Sequence, residues 1–174
     1  MTARPDACEA LLLIGGRRVP GGERSIPVLD KYSGAVIAQA HVPESAQLHE
    51  AVEHAHATWR RCLPPQSERA EILDRAATGV ERAAAELALL MQREAGFPVA
   101  DGGAEVRRCI QTLRLSATAA RELAGEIVPL SGSPGHAGKL GFTLRVPLGI
   151  VLAVTPFNSP LNTPTHKIAP AFAA

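Results

Sequence analysis

One stretch near the end of the chain, residues 145–170, constrains the fold more than any other part of the sequence. Residues 149–154 form a short apolar run bounded by turn residues, which is typical of a strand buried on both faces of a parallel sheet. Three prolines spaced four residues apart then predict that the chain leaves the sheet as a loop. Thr163 followed by proline is typical of the cap and first turn of a helix. The sequence therefore predicts a strand–loop–helix unit with Asn158 at the carboxyl end of the strand, the edge where ligands bind in open α/β sheets.

Three short motifs in this stretch carry a resemblance to a known family. They are Pro-Leu-Gly at 147–149, Thr-Pro-Phe-Asn-Ser-Pro at 155–160 and Lys-Ile-Ala-Pro-Ala at 167–171. Together with the apolar run they are similar to the aldehyde dehydrogenase superfamily. The Thr-Pro-Phe-Asn form resembles the lactaldehyde, phosphonoacetaldehyde and non-phosphorylating glyceraldehyde-3-phosphate dehydrogenase branches. The resemblance covers nearly all of this chain, but the chain corresponds only to the N-terminal part of a usual family member.

The resemblance implies an α/β fold that combines the N-terminal part of a Rossmann-type cofactor domain with a β-ribbon used for oligomerisation. We expect residues 1–124 to supply the N-terminal strands and helices of the cofactor-binding domain. Residues 125–146 would form the β-ribbon of the oligomerisation domain, and residues 147–174 the first strand–loop–helix of the Rossmann-type sheet, truncated. An isolated two-stranded ribbon is marginal in water. We therefore expect the full-length protein to be a homo-oligomer.

Periodicity and turn signals predict the remaining elements. Short strands joined by tight glycine turns are expected over residues 11–40, after a loose leader at 1–10. Helices with one apolar face are expected at 45–59, 67–95 and 104–124, the first two capped by Ser45 and Ser67 and the second ended by Gly96. Strands of the ribbon are expected at 126–130 and 140–146, because apolar residues alternate along the second of these segments.

The resemblance also assigns chemical roles to the loop. In the family a cysteine thiolate attacks the aldehyde carbon, and negative charge then builds on the former carbonyl oxygen. Asn158 occupies the position of the amide that donates to that oxygen, a task that suits a neutral NH2 group. By the same resemblance the backbone of Thr155, Pro156 and Phe157 lies against NAD or NADP, and Ser159 faces the substrate. The spacing alone also fits a turn asparagine that bonds to its own backbone.

Arginines on the third predicted helix are candidates for substrate selection. Arg107, Arg114 and Arg121 repeat every seven residues, and Arg108 points nearly away from the apolar face. Their ordinary interpretation is a solvated surface. The resemblance offers another, because in branches that take acidic aldehydes an arginine on this helix faces the substrate entrance. A guanidinium there would bind a carboxylate or phosph(on)ate with two donors. We assign this role first to Arg108 and then to Arg107, which implies an anionic aldehyde.

Two reactive groups of the family are missing from the chain. None of Cys8, Cys62 and Cys109 follows the family's nucleophile pattern, and the general-base glutamate is also expected beyond position 174. We predict an N-terminal fragment of an NAD(P)-dependent enzyme that oxidises an aldehyde to a carboxylic acid through a cysteine thiohemiacetal. Alone, this polypeptide is predicted to be inactive and to fold poorly or associate. The alternative is a non-catalytic interaction or oligomerisation protein derived from that fold, and a third hypothesis is a cofactor-binding module.

Composition argues against other classes of partner. The net charge is +1 and no basic run is interleaved with aromatic residues, so we expect no nucleic-acid partner. No stretch is long enough to span a membrane. Widely separated cysteines without a Cys-x-x-Cys pair fit a reducing compartment, which predicts a cytoplasmic protein. His49, Glu53 and His56 share a helix flank but lack a histidine pair at i,i+4, so we assign them to a solvated flank and predict no metal site.

Overall fold

The structure is a computed structural model that describes residues 8–174. Its strands are β1 (Cys8–Ala10), β2 (Leu12–Ile14), β3 (Arg17–Val19), β4 (Ser25–Leu29), β5 (Val36–His41), β6 (Ile127–Val128) and β7 (Gly141–Phe142). Its α-helices are α1 (Ser45–Arg61), α2 (Gln66–Arg82), α3 (Ala84–Ala95), α4 (Val99–Glu122) and α5 (Asn162–Ala173). No helix formed by the described residues combines the length and the apolar character needed to cross a membrane.

Two small sheets form at the beginning of the described chain. In the first, β5 lies between a parallel β1 and an antiparallel β4. In the second, β2 and β3 form a hairpin whose turn holds Gly15 and Gly16 at φ 57° and 76°, as the prediction of tight glycine turns requires. The predicted leader is wrong for residues 8–10, because the free edge of β5 supplies hydrogen-bonding partners that no local pattern reveals. Residues 1–7 lie outside the described part of the chain.

The core lies where α2, α4 and α5 pack together. Its buried members are Ala70, Leu73, Ala77, Cys109, Leu113, Ala117, Ala120, Ala169 and Ala173. Because six of these nine side chains are alanine, the helix axes can approach closely. α2 and α4 contribute buried residues of the apolar faces predicted for them. The alanine-rich composition therefore leads to close helix packing, as expected from the sequence.

Helix boundaries differ from the predictions in instructive ways. The predicted second helix is interrupted at Ala83, so α2 and α3 are separate helices that both contact α4. The alanine-rich sequence carries no local stop signal there. Gly96 ends α3 in the left-handed conformation, as predicted, at φ 74°. α4 already begins at Val99, directly after a proline, and α1 is capped by Glu44 in a capping box instead of by the predicted Ser45.

Two segments form less sheet structure than predicted. The ribbon is present but short, with Ile127 opposite Phe142 in an antiparallel pair. Residues 149–154, predicted as a buried strand, contain no strand, and Leu152 and Val154 are 86% and 75% exposed. A parallel strand needs hydrogen-bonded neighbours, and no strand of the described chain pairs with this segment. The helix that follows forms, but Leu161 is its cap instead of Thr163.

Candidate functional site

A loop at residues 155–161 joins the extended segment to α5 and carries most of the candidate site residues. Thr155, Pro156, Phe157 and Asn158 follow one another along it and are all exposed. Asn158 lies in a turn three residues before the cap of α5. The predicted position at the carboxyl edge of an interior strand is wrong for this chain, because that strand does not form. The loop instead owes its position to α4.

A buried carboxylate on α4 anchors this loop. Glu105 is 3% exposed, and its Oε1 accepts hydrogen bonds from the Ser159 hydroxyl and from the backbone N–H of Asn162, the latter at 2.9 Å. The Asn162 N–H belongs to the first turn of α5, where N–H groups lack an intrahelical acceptor and a negative charge is favoured. The Ser159 hydroxyl is therefore bonded to a buried carboxylate, and the substrate contact predicted for Ser159 stays a prediction.

Further polar contacts continue along the interface between α4 and α5. Cys109 Sγ lies 3.1 Å from the Thr165 hydroxyl oxygen. One turn further along α4, the Thr112 hydroxyl lies 3.1 Å from Asn162 Oδ1. Together with the anchoring glutamate, these contacts hold the first turns of α5 against α4 at several successive points.

Cys109 is a structural thiol in this arrangement. Burial raises its pKa above the ordinary value of 9.0, and the charge of Glu105 acts in the same direction, against the hydrogen bond with Thr165. A raised pKa leaves the thiol protonated near neutral pH, and thiolates are the reactive form. The structure thus agrees with the expectation that Cys109 is not the nucleophile.

Sequence reasoning missed Glu105, although a signal was present. Glu105, Cys109, Thr112 and Ser116 recur at helical spacing beside the apolar stripe of α4, and the first, second and fourth are buried. A polar row next to an apolar stripe ordinarily faces solvent. Only the position of α5 turns this row into an interface.

Two of the four arginines of α4 form ion pairs, and for the other two the described part of the chain shows none. Arg114 and Arg121 form ion pairs with Glu81 and Asp74 of α2, at 2.9 and 2.6 Å. Arg107 and Arg108 are exposed, within one turn of the glutamate that anchors the loop. Their role in binding a substrate stays a prediction.

A large cavity lies elsewhere and is lined mainly by apolar residues. It measures about 950 Å³ and is lined by parts of α1, the β2–β3 turn, residues 146–149 and the end of α5. Trp59 of α1 borders it, and Leu48 and Val52 on the same helix are more than half exposed. Asn158 does not line this cavity. The cavity lacks the converging polar groups of a typical ligand site. Its exposed apolar lining is instead typical of a surface against which another protein segment packs.

The polar flank of α1 behaves as a solvated surface. His49, Glu53 and His56 are exposed, His49 Nδ1 lies 2.7 Å from the Ser45 carbonyl oxygen, and His56 stacks on Trp59. Among residues 8–174, no three histidine, cysteine or acidic side chains are grouped so as to hold a metal ion.

Comparison with known proteins identifies the fold and its relatives. The sequence pattern of the aldehyde dehydrogenase family matches residues 19–174. An aspartate-semialdehyde dehydrogenase 1 from Pseudomonas canavaninivorans is 38% identical over 152 residues, which are 87% of this chain and 32% of the relative. A lactaldehyde dehydrogenase from Methanocaldococcus jannaschii is 35% identical over 148 residues, 84% of this chain and 30% of the relative.

Solved structures agree with the sequence matches. Aldehyde dehydrogenase 21 from Physcomitrella patens, crystallised with its reaction product succinate, superposes with a TM-score of 0.89 and 28% identity. The match covers 96% of this chain and 35% of that one. The predicted α/β fold class is therefore confirmed. The chain spans about a third of the length of the relatives it matches.

Proposed function

The chain belongs to the aldehyde dehydrogenase family, and we propose that it is the N-terminal part of an NAD(P)-dependent enzyme that oxidises an aldehyde to a carboxylic acid. The observation that carries the proposal is the match over residues 19–174, which includes the Thr-Pro-Phe-Asn-Ser-Pro loop. We expect residues 149–154 to become a strand when further strands of the same protein flank them. That change would bring Asn158 to the carboxyl edge of a sheet.

Asn158 is proposed to donate its side-chain N–H to the oxygen of the reacting carbonyl. When a thiolate adds to an aldehyde, the carbonyl oxygen gains negative charge, and a fixed neutral donor stabilises that charge in the transition state. Loss of one such donor typically lowers the rate by about a hundred- to a thousandfold. We assign neither the nucleophile nor the general base to a residue of this chain.

Residues Thr155, Pro156 and Phe157 are proposed to contact the cofactor, NAD or NADP. They fit this role because they are exposed side by side, and Phe157 is 56% exposed, so its ring can lie against another flat group. When bound, the cofactor accepts a hydride from the substrate. The contribution of this chain is to hold the cofactor beside the Asn158 amide.

We propose that the substrate is an anionic aldehyde, and that Arg108, with Arg107 next, binds its carboxylate or phosph(on)ate group. Two observations support the proposal. Both arginines are exposed and follow the loop-anchoring Glu105 within one turn of α4. In addition, one relative is an aspartate-semialdehyde dehydrogenase, and aldehyde dehydrogenase 21 was crystallised with its reaction product succinate; both compounds carry a carboxylate.

The ribbon is proposed to mediate homo-oligomerisation of the full-length protein. Ile127, Phe142, Leu144 and Val146 are between 64% and 78% exposed, so the ribbon presents an apolar surface that a second subunit could cover.

We propose that the protein is located in the cytoplasm, since all three cysteines are free.

The decisive test compares the 174-residue chain with the protein expressed from its complete reading frame. We expect aldehyde-dependent reduction of NAD or NADP only from a longer product, and a fall of about a hundred- to a thousandfold in kcat for Asn158→Ala. Turnover by the 174-residue chain would contradict the proposed inactivity of the fragment. A stop codon directly after position 174, together with defined self-association, would favour the non-catalytic interaction protein. A calorimetric titration with NAD and NADP tests the third hypothesis, a cofactor-binding module.

A further inference from the structure

One oxygen atom of a buried carboxylate holds both ends of a short segment next to Asn158. We propose that Glu105 is a positioning residue: it fixes the Asn158 loop on α4 so that the amide is presented in one orientation. The catalytic part of this inference rests on the proposed function of Asn158. The structural part, that Glu105 orders the loop, stands on the geometry alone.

The geometry supports the inference at two points. Glu105 Oε1 accepts from the Ser159 hydroxyl, directly after Asn158, and from the Asn162 N–H at the start of α5. Between these two bonds, Leu161 packs against the helical core. The segment that begins beside Asn158 is therefore held by the carboxylate and by apolar packing.

Burial makes Glu105 unusual among the charged side chains of α4. It is 3% exposed, whereas Arg107 and Arg108 on the same turn are exposed. Within the described residues Glu105 forms no ion pair, so a hydroxyl, a backbone N–H and the start of a helix stabilise its charge. A buried charge is often less stabilising than an apolar side chain of similar size. General stability alone is thus a weak explanation for a glutamate at this position.

The first experiment measures hydrogen–deuterium exchange in the protein expressed from its complete reading frame, for Glu105→Ala and Glu105→Gln. Gln keeps an acceptor oxygen but loses the charge, so it should have the smaller effect. The matched control is Glu81→Gln, which removes an exposed ion pair to α4 without touching the loop. We expect amides at 157–163 to exchange on the order of ten- to a hundredfold faster in Glu105→Ala. In Glu105→Ala, the exchange rates of the α2 amides should be unchanged.

The second experiment is a double-mutant cycle on the rate of aldehyde oxidation. If Glu105 acts through Asn158, Glu105→Ala lowers kcat more than it alters KM, and it has little further effect in the Asn158→Ala background. If Glu105 only supports stability, the two losses multiply and the melting temperature falls together with the activity.

The outcomes separate the two claims. Unchanged exchange at 157–163 in Glu105→Ala overturns the positioning role, and so do multiplicative losses in the cycle. Full activity of Asn158→Ala would refute the proposed function instead, while the exchange data would still decide whether Glu105 orders the loop. Faster hydrogen exchange confined to residues 157–163, together with non-multiplicative losses of kcat in the double-mutant cycle, supports both the ordering of the loop by Glu105 and its action through Asn158.

Discussion

Replacing Arg69 by Met is expected to destabilise the protein strongly, although Arg69 has no acidic partner among the described residues. The side chain is 6% exposed. Its Nε donates to the Ala173 carbonyl at 3.2 Å and its Nη1 to the Pro64 carbonyl at 2.8 Å. It thereby joins the loop before α2 to the last turn of α5, where a positive charge also interacts favourably with the helix dipole.

The expected magnitude follows from these two bonds. Hydrogen bonds to a charged group contribute about 1.5–3 kcal/mol each, so their loss removes roughly 3–6 kcal/mol. Removing a buried charge returns part of its desolvation penalty, because Met is apolar and of similar length. We expect a net loss of about 2–4 kcal/mol in the free energy of unfolding. The free energy of unfolding of Arg69→Lys should lie between those of wild type and Arg69→Met, since a single ammonium group cannot reproduce both hydrogen bonds of the planar guanidinium.

The assay is urea unfolding followed by far-UV circular dichroism, at a concentration where light scattering shows a single species. Arg75→Met is the control: it lies on the same helix, is 68% exposed and forms only a loose pair with Glu71 at 3.9 Å. This control should change the free energy of unfolding by no more than about 0.5 kcal/mol. Equal effects of the two substitutions would refute the view that Arg69 connects α2 to α5.

Two further predictions concern the turn after β4 and the ribbon. The Ser33 backbone N–H is the main cause that lowers the pKa of Asp30 from 3.8 to about 2. Because the pKa is lower in the folded state, ionised Asp30 stabilises the fold above pH 3.8, and this stabilisation is lost as the pH falls through about 2. Asp30→Asn should therefore have a lower free energy of unfolding than wild type at neutral pH and match it near pH 2. Urea titrations at the two pH values measure this difference. A Cβ at Gly125 would overlap the Thr143 carbonyl, so Gly125→Ala should accelerate hydrogen exchange in the ribbon, while Gly132→Ala, which has open space, should not. A stability difference for Asp30→Asn that persists at pH 2, or equal exchange in the two glycine variants, would contradict these arguments.

Local patterns in the sequence predicted the elements whose stability depends on near neighbours. The apolar face predicted for the helix at 104–124 is buried in α4, where Val106, Leu113 and Ala117 lie in the core. Gly96 was predicted to end a helix because its left-handed conformation is a local property. The motif at 155–160 led to the family, since it depends only on the order of residues.

Long-range partners could not be predicted from the same patterns. The run at 149–154 has the composition of a buried strand, but composition cannot supply the neighbours that a strand requires, and the segment is exposed. Glu105 and Arg69 looked like ordinary helix residues. Their burial depends on where α5 lies, more than fifty residues away in sequence from Glu105.

The amino-acid sequence by itself determined the family, the helical faces, the glycine turns and the position of the loop along the chain, because each of these follows from residues close together in sequence. The tertiary structure alone decided which polar groups are buried, what holds the Asn158 loop and whether an apolar run becomes a strand. The physical reason is that hydrogen-bond partners and burial belong to pairs of distant segments, and a pair exists only after the chain has folded.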